Sequence, residues 1–487
     1  MSNIGSNENI LKILYSYNEW WQTDKVNDNF NKKKKRFPYY EAANSFLHKI
    51  RRSILLSGAR RTGKTTIMYQ MIASLLESGV PSKNILFISF EHPLFKLCKI
   101  DQVIDVYKSN ISSDNQAYFF FDEVQYADDW EVWLKILYDT MPYLRLMATG
   151  SASPILNDKI QNESGLGRWK VISVPTLSFF EYCDLLDIDK PILPKDIKPT
   201  MMYSYTMQEQ RNIFMKLSFL QPHFIRYLSI GGFPELALSK DDIYAQRILR
   251  EDIVDKAIKR DLPQVYGIRN VSDIEKVFLY LCYNSSNIIS IDTISKELSG
   301  VSRQTVSKYI EQLESANLIY ISEPIDIDGK KILKIKNKVY ISDAAIKNAV
   351  LMNDDSINDP EELGRLVETA VYKHIKSFYY EEPCKVGYYR ESNTGKEIDV
   401  VVSNPKYCIM IEVKYREKSV VKETDAIVKL FDGKKPNIVI SKRIEDFGIE
   451  DYNGKKIYKI PASAFLYLLG YVEYNRLEEY KNTPGYL

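Results

Sequence analysis

The stretch Ser53-Ile54-Leu55-Leu56-Ser57-Gly58-Ala59-Arg60-Arg61-Thr62-Gly63-Lys64-Thr65-Thr66 decides the fold. Its first five residues are a short apolar run that reads as a buried strand. Gly58, Gly63, Lys64 and Thr65 then take the spacing of a phosphate-binding loop, Gly-x4-Gly-Lys-Thr. Glycines let successive backbone N–H groups curl around phosphate oxygens at a helix N-terminus. Lys64 is placed to neutralise β- and γ-phosphates, the Thr65 hydroxyl to bind Mg²⁺, and Thr66 to add a further contact to the nucleotide. Ile67, Met68, Met71, Ile72, Leu75 and Leu76 follow at helical spacing, and Gly79 with Pro81 ends that helix.

Working outward, 84–90, 117–121 and 144–148 read as further strands, the second almost wholly apolar. Strands alternating with helices predict a parallel sheet covered by helices on both faces. Phe119-Phe120-Phe121-Asp122-Glu123 delivers Asp122 at the C-terminal edge of its strand, where parallel sheets bind ligands. Asp122 is thus the expected partner of the Mg²⁺ shell, and Glu123 the residue expected to polarise the attacking water. Met147-Ala148-Thr149-Gly150-Ser151 ends another apolar strand in small polar residues. Either Thr149 or Ser151 could sense the γ-phosphate, or the segment is a plain strand-end turn.

A chain of 487 residues is long enough for about two to four domains. Hydrophobic content of 45% and charged content of 27% are those of soluble globular proteins. A formal net charge of +2 argues against a uniformly basic coat, so any DNA contact must come from local patches. The five cysteines, Cys98, Cys183, Cys282, Cys384 and Cys408, are scattered without a CxxC pair, as expected of reduced core thiols in a cytoplasmic protein. No apolar leader and no run of about 18 apolar residues occur, so neither secretion nor membrane spanning is expected.

Residues 1–36 are polar and end in Lys32-Lys33-Lys34-Lys35-Arg36, a solvated loop or an arm that contacts phosphate. Beyond residue 180 the pattern turns helical. Two short amphipathic helices, 291–298 and 302–314, flank Ser299-Gly300, and a strand begins near 316–320, the outline of a winged helix-turn-helix. Arg303 and Lys308 would be available to DNA, while Glu311 and Glu314 dilute that face. Residues 351–361 read as an acidic linker, and the last ~125 residues suffice for one small α/β domain.

That last segment holds a second group of acids. Glu397-Ile398-Asp399-Val400-Val401-Val402 starts one apolar strand with Asp399, and Ile409-Met410-Ile411-Glu412-Val413-Lys414 puts Glu412 and Lys414 on one face of the next. Glu368 lies upstream in the helical stretch 363–375. Metal-dependent phosphodiester cleavage uses carboxylates around Mg²⁺ and a lysine that orients or deprotonates water. A structural ion-pair cluster is the competing reading. His374 reads as a helix-surface or packing residue.

The segments 58–65, Asp122-Glu123-Val124-Gln125, Thr149-Gly150-Ser151, Gly167-Arg168, 175–181 and Gly231-Gly232-Phe233-Pro234-Glu235 resemble a prokaryotic group of AAA+-type ATPases. Proteins of that group carry a winged helix and a C-terminal restriction-nuclease-like domain. The order Glu368, Asp399, Glu412-x-Lys414 likewise resembles the PD-(D/E)xK nuclease fold, with Ile398 where the family pattern has proline. The resemblance implies an arginine-finger or sensor role for Arg168 and an adenine contact from Gly232-Phe233-Pro234. It also implies a metal site of Glu368, Asp399 and Glu412 in which Asp399, Glu412 and Lys414 cut.

The expected architecture is α/β. Its parts are a polar segment 1–36, a parallel-sheet P-loop ATPase core 37–180, a helical lid 181–265, a winged helix 266–350 and a nuclease-like α/β domain 351–487. The expected function is ATP binding and hydrolysis with Mg²⁺, directed to DNA through a Mg²⁺-dependent nuclease-like module. The alternative is a regulatory ATPase whose nuclease-like domain only binds DNA or a protein partner. A homo-oligomer is compatible with either, and no membrane partner is expected.

Overall fold

The computed structural model describes residues 7–150, 167–298, 300–325, 336–352, 356–378, 384–391 and 394–481. Strands β1 (Ser53–Ser57), β2 (Ile85–Ser89), β3 (Tyr118–Asp122), β4 (Arg145–Gly150) and β5 (Trp169–Ser173) form one sheet in the order β2-β3-β4-β1-β5. All its pairings are parallel. Side chains of β1 and β3 are buried along their whole length, as befits strands covered on both faces. The helix Lys64–Glu77 leaves the loop after β1 and buries Ile67, Met68, Met71 and Ile72 against the sheet.

The N-terminal segment, expected only to be polar, packs against the first sheet. Helices Asn7–Tyr17 and Trp20–Thr23 lie along the outer edge of β2 and bury Ile10, Leu14, Trp20 and Trp21. A free strand edge presents unpaired backbone groups, and side chains answer them here. Asn18 donates to Phe87 O at 2.9 Å and accepts from Phe87 N at 2.7 Å. Both indoles donate to Ile85 O. The basic run is also engaged: Arg36 donates to Glu181 at 3.1 Å and to Thr62 O and Pro175 O, and Lys35 donates to Tyr39 Oη.

A middle unit follows, comprising helix Val271–Tyr283, β6 (Asn287–Ile288), helices Ile291–Glu297 and Arg303–Ser315, β7 (Ile319–Ser322) and β8 (Lys338–Ile341). Its antiparallel sheet runs β6-β8-β7, so β8 is central. The C-terminal sheet contains β9 (Lys385–Arg390), β10 (Glu397–Ser403), β11 (Cys408–Lys414), β12 (Asn437–Ser441), β13 (Gly448–Tyr452) and β14 (Lys455–Pro461). Its order is β13-β14-β12-β11-β10-β9. The helix Pro360–Phe378 already begins inside the expected linker, with Asp359 accepting from the Glu361 and Glu362 amides.

The expected lid does not form one body. Phe179 to Ile230 share a core with the C-terminal sheet and the helices Pro360–Phe378 and Ala462–Lys481. Phe233, Leu236 and the apolar residues of 245–262 join the middle unit instead. The division falls at Gly231, whose φ of +77° suits glycine; a Cβ there would lie 2.4 Å from Asp343 Oδ1. At the same junction Lys373 Nζ donates to Asp343 Oδ2 and to Tyr227 Oη, both at 2.7 Å. Asp343 also accepts from Thr176 Oγ1 at 2.6 Å and from the Gly232 amide. One buried ion pair thus ties the end of the first sheet's segment, the Gly231 turn, the middle unit and the C-terminal domain together. Of the cysteines, Cys98, Cys183 and Cys282 are buried, Cys384 is half-buried and Cys408 is exposed; none is paired. Among the described residues no helix is long and apolar enough to cross a membrane.

Candidate functional site

The strand order creates the site. β4 lies between β1 and β3, so Thr149 stands between the loop after β1 and the acid that ends β3. Its hydroxyl donates to Asp122 Oδ1 at 2.6 Å and accepts from the Glu123 amide at 3.0 Å. Thr65 Oγ1 lies 3.1 Å from both Asp122 oxygens. Glu123 adopts a left-handed backbone, φ +54°, costly for a residue with a side chain and frequent where function holds it. The Gln125 amide donates to Glu123 Oε2 at 2.5 Å, which fixes the carboxylate at the sheet edge.

The loop itself is tightly built. A Cβ at Gly58 would meet Val174 O at 2.2 Å, so only glycine allows that approach. Gly63, with φ +92°, turns the chain into the helix. Lys64 is 4% exposed, and its Nζ donates to Gly58 O at 2.8 Å and Ala59 O at 3.0 Å. Burial pulls its ammonium below the usual lysine range, against the attraction of Glu123 and Asp122. Burial, then the charge of Glu123, pushes Asp122 up to about 7. A buried carboxylate in that condition, beside a hydroxyl and a second acid, calls for a cation. Thr65 and Asp122 therefore fit a divalent metal.

Two arginines inside the loop reach the region beyond Gly231. Arg60 donates to Asp261 at 2.5 Å and to Glu91 at 3.3 Å, and Tyr126 Oη donates to Asp261 at 2.9 Å. Arg61 pairs with Glu235 and Asp252. Asp252 and Asp261 lie on a π-helical segment, Glu251–Asp261, that leads into the middle unit. Sequence reasoning missed these partners, because loop positions between the glycines carry no fixed pattern.

A cavity of about 470 Å³ opens beside Thr65, Thr66 and Asp122, walled by Tyr17, Phe30, Tyr69 and Phe87. Phe30 stacks on Tyr69 at 4.8 Å, and Tyr69 on Phe87 at 4.9 Å. Aromatic residues within an otherwise polar N-terminal stretch were the available signal for this wall. The expected adenine contact at Gly232-Phe233-Pro234 is corrected: Phe233 is 1% exposed in the core of the middle unit. Gly232 is required because a Cβ would lie 2.6 Å from Leu177 O. Pro234 opens the short helix Pro234–Ala237, next to the Glu235 that Arg61 holds, and does not wall the cavity. Ser151 lies outside the described residues.

Arg168 precedes β5, whose first residue pairs with Ser53, so it sits at the edge of the sheet opposite the loop. Its guanidinium pairs with Asp139 at 2.9 Å, and its position rules out contact with phosphates held by its own chain.

In the C-terminal domain the acids gather differently from a metal set. Lys338 Nζ from β8 lies 2.6 Å from Glu368 Oε1 and 3.1 Å from Asp399 Oδ1. Asp399 Oδ2 accepts from the Val413 amide at 2.9 Å. Glu412 pairs instead with Lys414 at 2.9 Å, and Lys414 with Asp425 at 3.1 Å. Burial, then Asp399, raises Glu368 to about 7; burial raises Glu412 to about 6 despite Lys414. Among the described residues no group of three or more acids, histidines or cysteines is arranged to hold a metal. The expected metal site of Glu368, Asp399 and Glu412 is therefore corrected: the charge is balanced by lysines, and the residues as arranged do not fit a divalent ion. His374 is fully buried, a packing residue as one reading held, and not on a helix surface.

Residues 50–183 match the family model described as an AAA domain, and with the loop, Thr65, Asp122 and the strand order this part of the chain is an AAA+-type P-loop ATPase domain. Residues 221–357 and 363–463 match two families described as domains of unknown function, DUF8612 and DUF4143. An uncharacterized protein of Haemophilus influenzae is 23% identical over 405 residues, 81% of this chain and 90% of its own. The uncharacterized protein MJ1544 of Methanocaldococcus jannaschii is 24% identical over 407 residues, 83% of this chain and 81% of its own. Among solved structures, a Walker-type ATPase of Pyrococcus abyssi covers 66% of this chain and 97% of its own at 15% identity and a TM-score of 0.38. The Orc1 protein of Aeropyrum pernix, solved in complex with DNA, covers 69% and 96% at 11% identity and a TM-score of 0.32.

Proposed function

We propose that the chain binds and hydrolyses ATP with Mg²⁺ and uses the nucleotide state to reposition the middle unit against the C-terminal domain, the regulatory reading. The observation that carries it is the constellation Thr65, Asp122, Thr149 and Glu123 over the loop 58–65. Lys64 would exchange its loop carbonyls for the β- and γ-phosphates. Glu123, held by Gln125 and the Thr149 hydroxyl, would accept a hydrogen bond from the attacking water and take its proton as the water oxygen bonds to the γ-phosphorus and the bond from that phosphorus to the departing ADP oxygen breaks. Mg²⁺, when bound, supplies charge neutralisation at the phosphates, with Thr65 and Asp122 as its protein partners. The aromatic-walled cavity beside Thr66 would take the nucleoside. Arg60 and Arg61, inside the loop yet paired with Glu235, Asp252 and Asp261, are the direct route from phosphate to the middle unit.

Nucleotide binding and turnover test this reading. Lys64→Ala should lose binding, and Glu123→Gln should bind ATP and fail to turn it over. Undiminished turnover in Glu123→Gln would remove the carboxylate from the chemistry.

A second reading, direction to DNA, has its own support. The middle unit has the element order of a winged helix, and its helix Arg303–Ser315 lines a cavity of about 300 Å³ with Gln304, Thr305 and Lys308, facing Arg269. Glu314 is turned back onto the Ile321 amide, which leaves Glu311 as the acid on that face. Loss of DNA affinity in Lys308→Glu with Arg269→Glu would support this reading; equal affinity would leave the unit as a packing module.

A further inference from the structure

Phosphoryl transfer spreads negative charge over the γ-phosphate oxygens, and a guanidinium is well suited to meet it. Lys64 is one cation near that position, and Arg168 sits at the opposite edge of the sheet. The loop itself supplies another. Arg60 leaves the loop after β1, yet its Nη2 donates at 3.3 Å to Glu91, two residues beyond the end of β2. In the order β2-β3-β4-β1 that reach carries its side chain over the ends of β4 and β3, where Thr149, Asp122 and Glu123 stand. Asp261 marks the same path. Its Oδ2 accepts from Arg60 Nε at 2.5 Å, and its Oδ1 accepts at 2.9 Å from the hydroxyl of Tyr126, three residues after Glu123. With Nε and Nη2 both held, the planar guanidinium is fixed in orientation. Among the described residues no acceptor is paired with its Nη1. Burial works against the charge of Arg60; the bond to Asp261, then the charges of Asp261 and Glu123, hold its pKa above the usual arginine range. Arg61 is committed elsewhere, to Glu235 and Asp252.

We propose that Arg60 is a catalytic residue acting within its own chain: Nη1 donates to an oxygen of the γ-phosphate, while Asp261, Tyr126 and Glu91 are positioning residues that hold the guanidinium there. This rests on the reading of the chain as an ATPase. As the water oxygen bonds to the γ-phosphorus, Glu123 takes the proton of the water. The bond from that phosphorus to the ADP oxygen breaks, and the oxygen keeps the electron pair. Arg60 neutralises charge on the γ-oxygens throughout. Because its fork is held before ATP arrives, it needs no reorganisation during the step. ADP lacks the group that Arg60 touches, so the arginine acts on ATP and on the transition state and not on ADP. Its anchor, Asp261, ends the π-helical segment Glu251–Asp261, so the segment leading into the middle unit completes the active site from outside the sheet.

The test compares full-length wild type with Arg60→Met and Asp261→Asn in three measurements: MgADP affinity, MgATP turnover, and retention of MgADP by fluoroaluminate, a mimic of the phosphoryl group in transfer. Arg60→Met should keep the MgADP affinity of wild type, lose about a hundredfold or more in kcat, and fail to retain ADP with fluoroaluminate. Asp261→Asn, which loosens the anchor and leaves the arginine, should also keep MgADP affinity and should retain more turnover than Arg60→Met. Arg60→Lys serves if the methionine variant does not fold. One ammonium cannot hold Asp261 and a γ-oxygen as the fork does, so kcat should still fall about tenfold or more. A purely structural tie between loop and middle unit would weaken ADP and ATP together and make the Arg60 and Asp261 variants alike. That result, or undiminished turnover in Arg60→Met, would overturn the proposal and leave the ATPase reading standing. A wild type that neither binds nor hydrolyses MgATP would overturn both.

Discussion

His374 sits where the helix Pro360–Phe378 meets the segment after the first sheet, with no exposed surface. Its Nε2 accepts from the Phe179 amide at 2.8 Å, and its Nδ1 lies 2.7 Å from Ala370 O, so the proton resides on Nδ1 and the ring is neutral. Burial first, then the neighbouring Lys373 ammonium, pulls its pKa down to about 3. In the unfolded chain histidine titrates near 6.5. Between these values the unfolded state binds the extra proton, so this contribution to stability is complete above pH 6.5 and is lost as pH falls toward 3. From pH 7.5 to 5.0 one such group removes about 2 kcal/mol.

Chemical denaturation of wild type and His374→Gln at the two pH values should reveal that difference. A glutamine amide can accept from Phe179 and donate to Ala370, and it does not titrate, so the variant should lose about 2 kcal/mol less on acidification. The chain has four histidines, which makes a direct observation practical. In spectra of ¹³C-histidine-labelled protein, the resonance missing from His374→Gln should stay still between pH 7.5 and 5.0. A resonance that titrates near the unfolded value, or identical acid sensitivity in both proteins, would refute the argument.

Lys373→Met should cost about 3 kcal/mol, the low end for breaking a buried pair, since Asp343 keeps its bonds from Thr176, Gly232 and Ala345. Adding Asp343→Asn should recover part of the loss in denaturant titrations, and no recovery would mean that charge is not the cause. Gly58→Ala should destabilise by about 1–3 kcal/mol, because its methyl would lie 2.2 Å from the Val174 carbonyl; calorimetry showing an unchanged melting temperature would contradict the close approach. Arg168→Ala should leave nucleotide affinity unchanged, as the side chain is at the far sheet edge. If it completes a neighbouring subunit's site, hydrolysis per chain should rise with concentration in wild type and not in the variant; equal curves would exclude that role.

The nucleotide site was legible because its parts are local. Ser57 to Thr66 make strand, loop and helix from consecutive residues, and Asp122 follows from the apolar run that precedes it. Each role there depends on neighbours a few positions away, so spacing alone determines them. The alternation in β11 likewise put Glu412 and Lys414 on one face. Spacing could not show what covers that face. Lys338 is 61 residues from Asp399, and Arg36 is 145 from Glu181; no periodicity joins positions so far apart. The burial of Trp20 and Trp21 depends on the bare edge of β2, and the division at Gly231 depends on Asp343 filling the space a side chain would need. Hydrophobic pattern and hydrogen-bonding capacity therefore fixed the strands β1 to β4 and the phosphate loop of this protein. Which cation neutralises which buried acid was settled only when distant elements packed, because a buried charge takes its partner from whichever element lies against it.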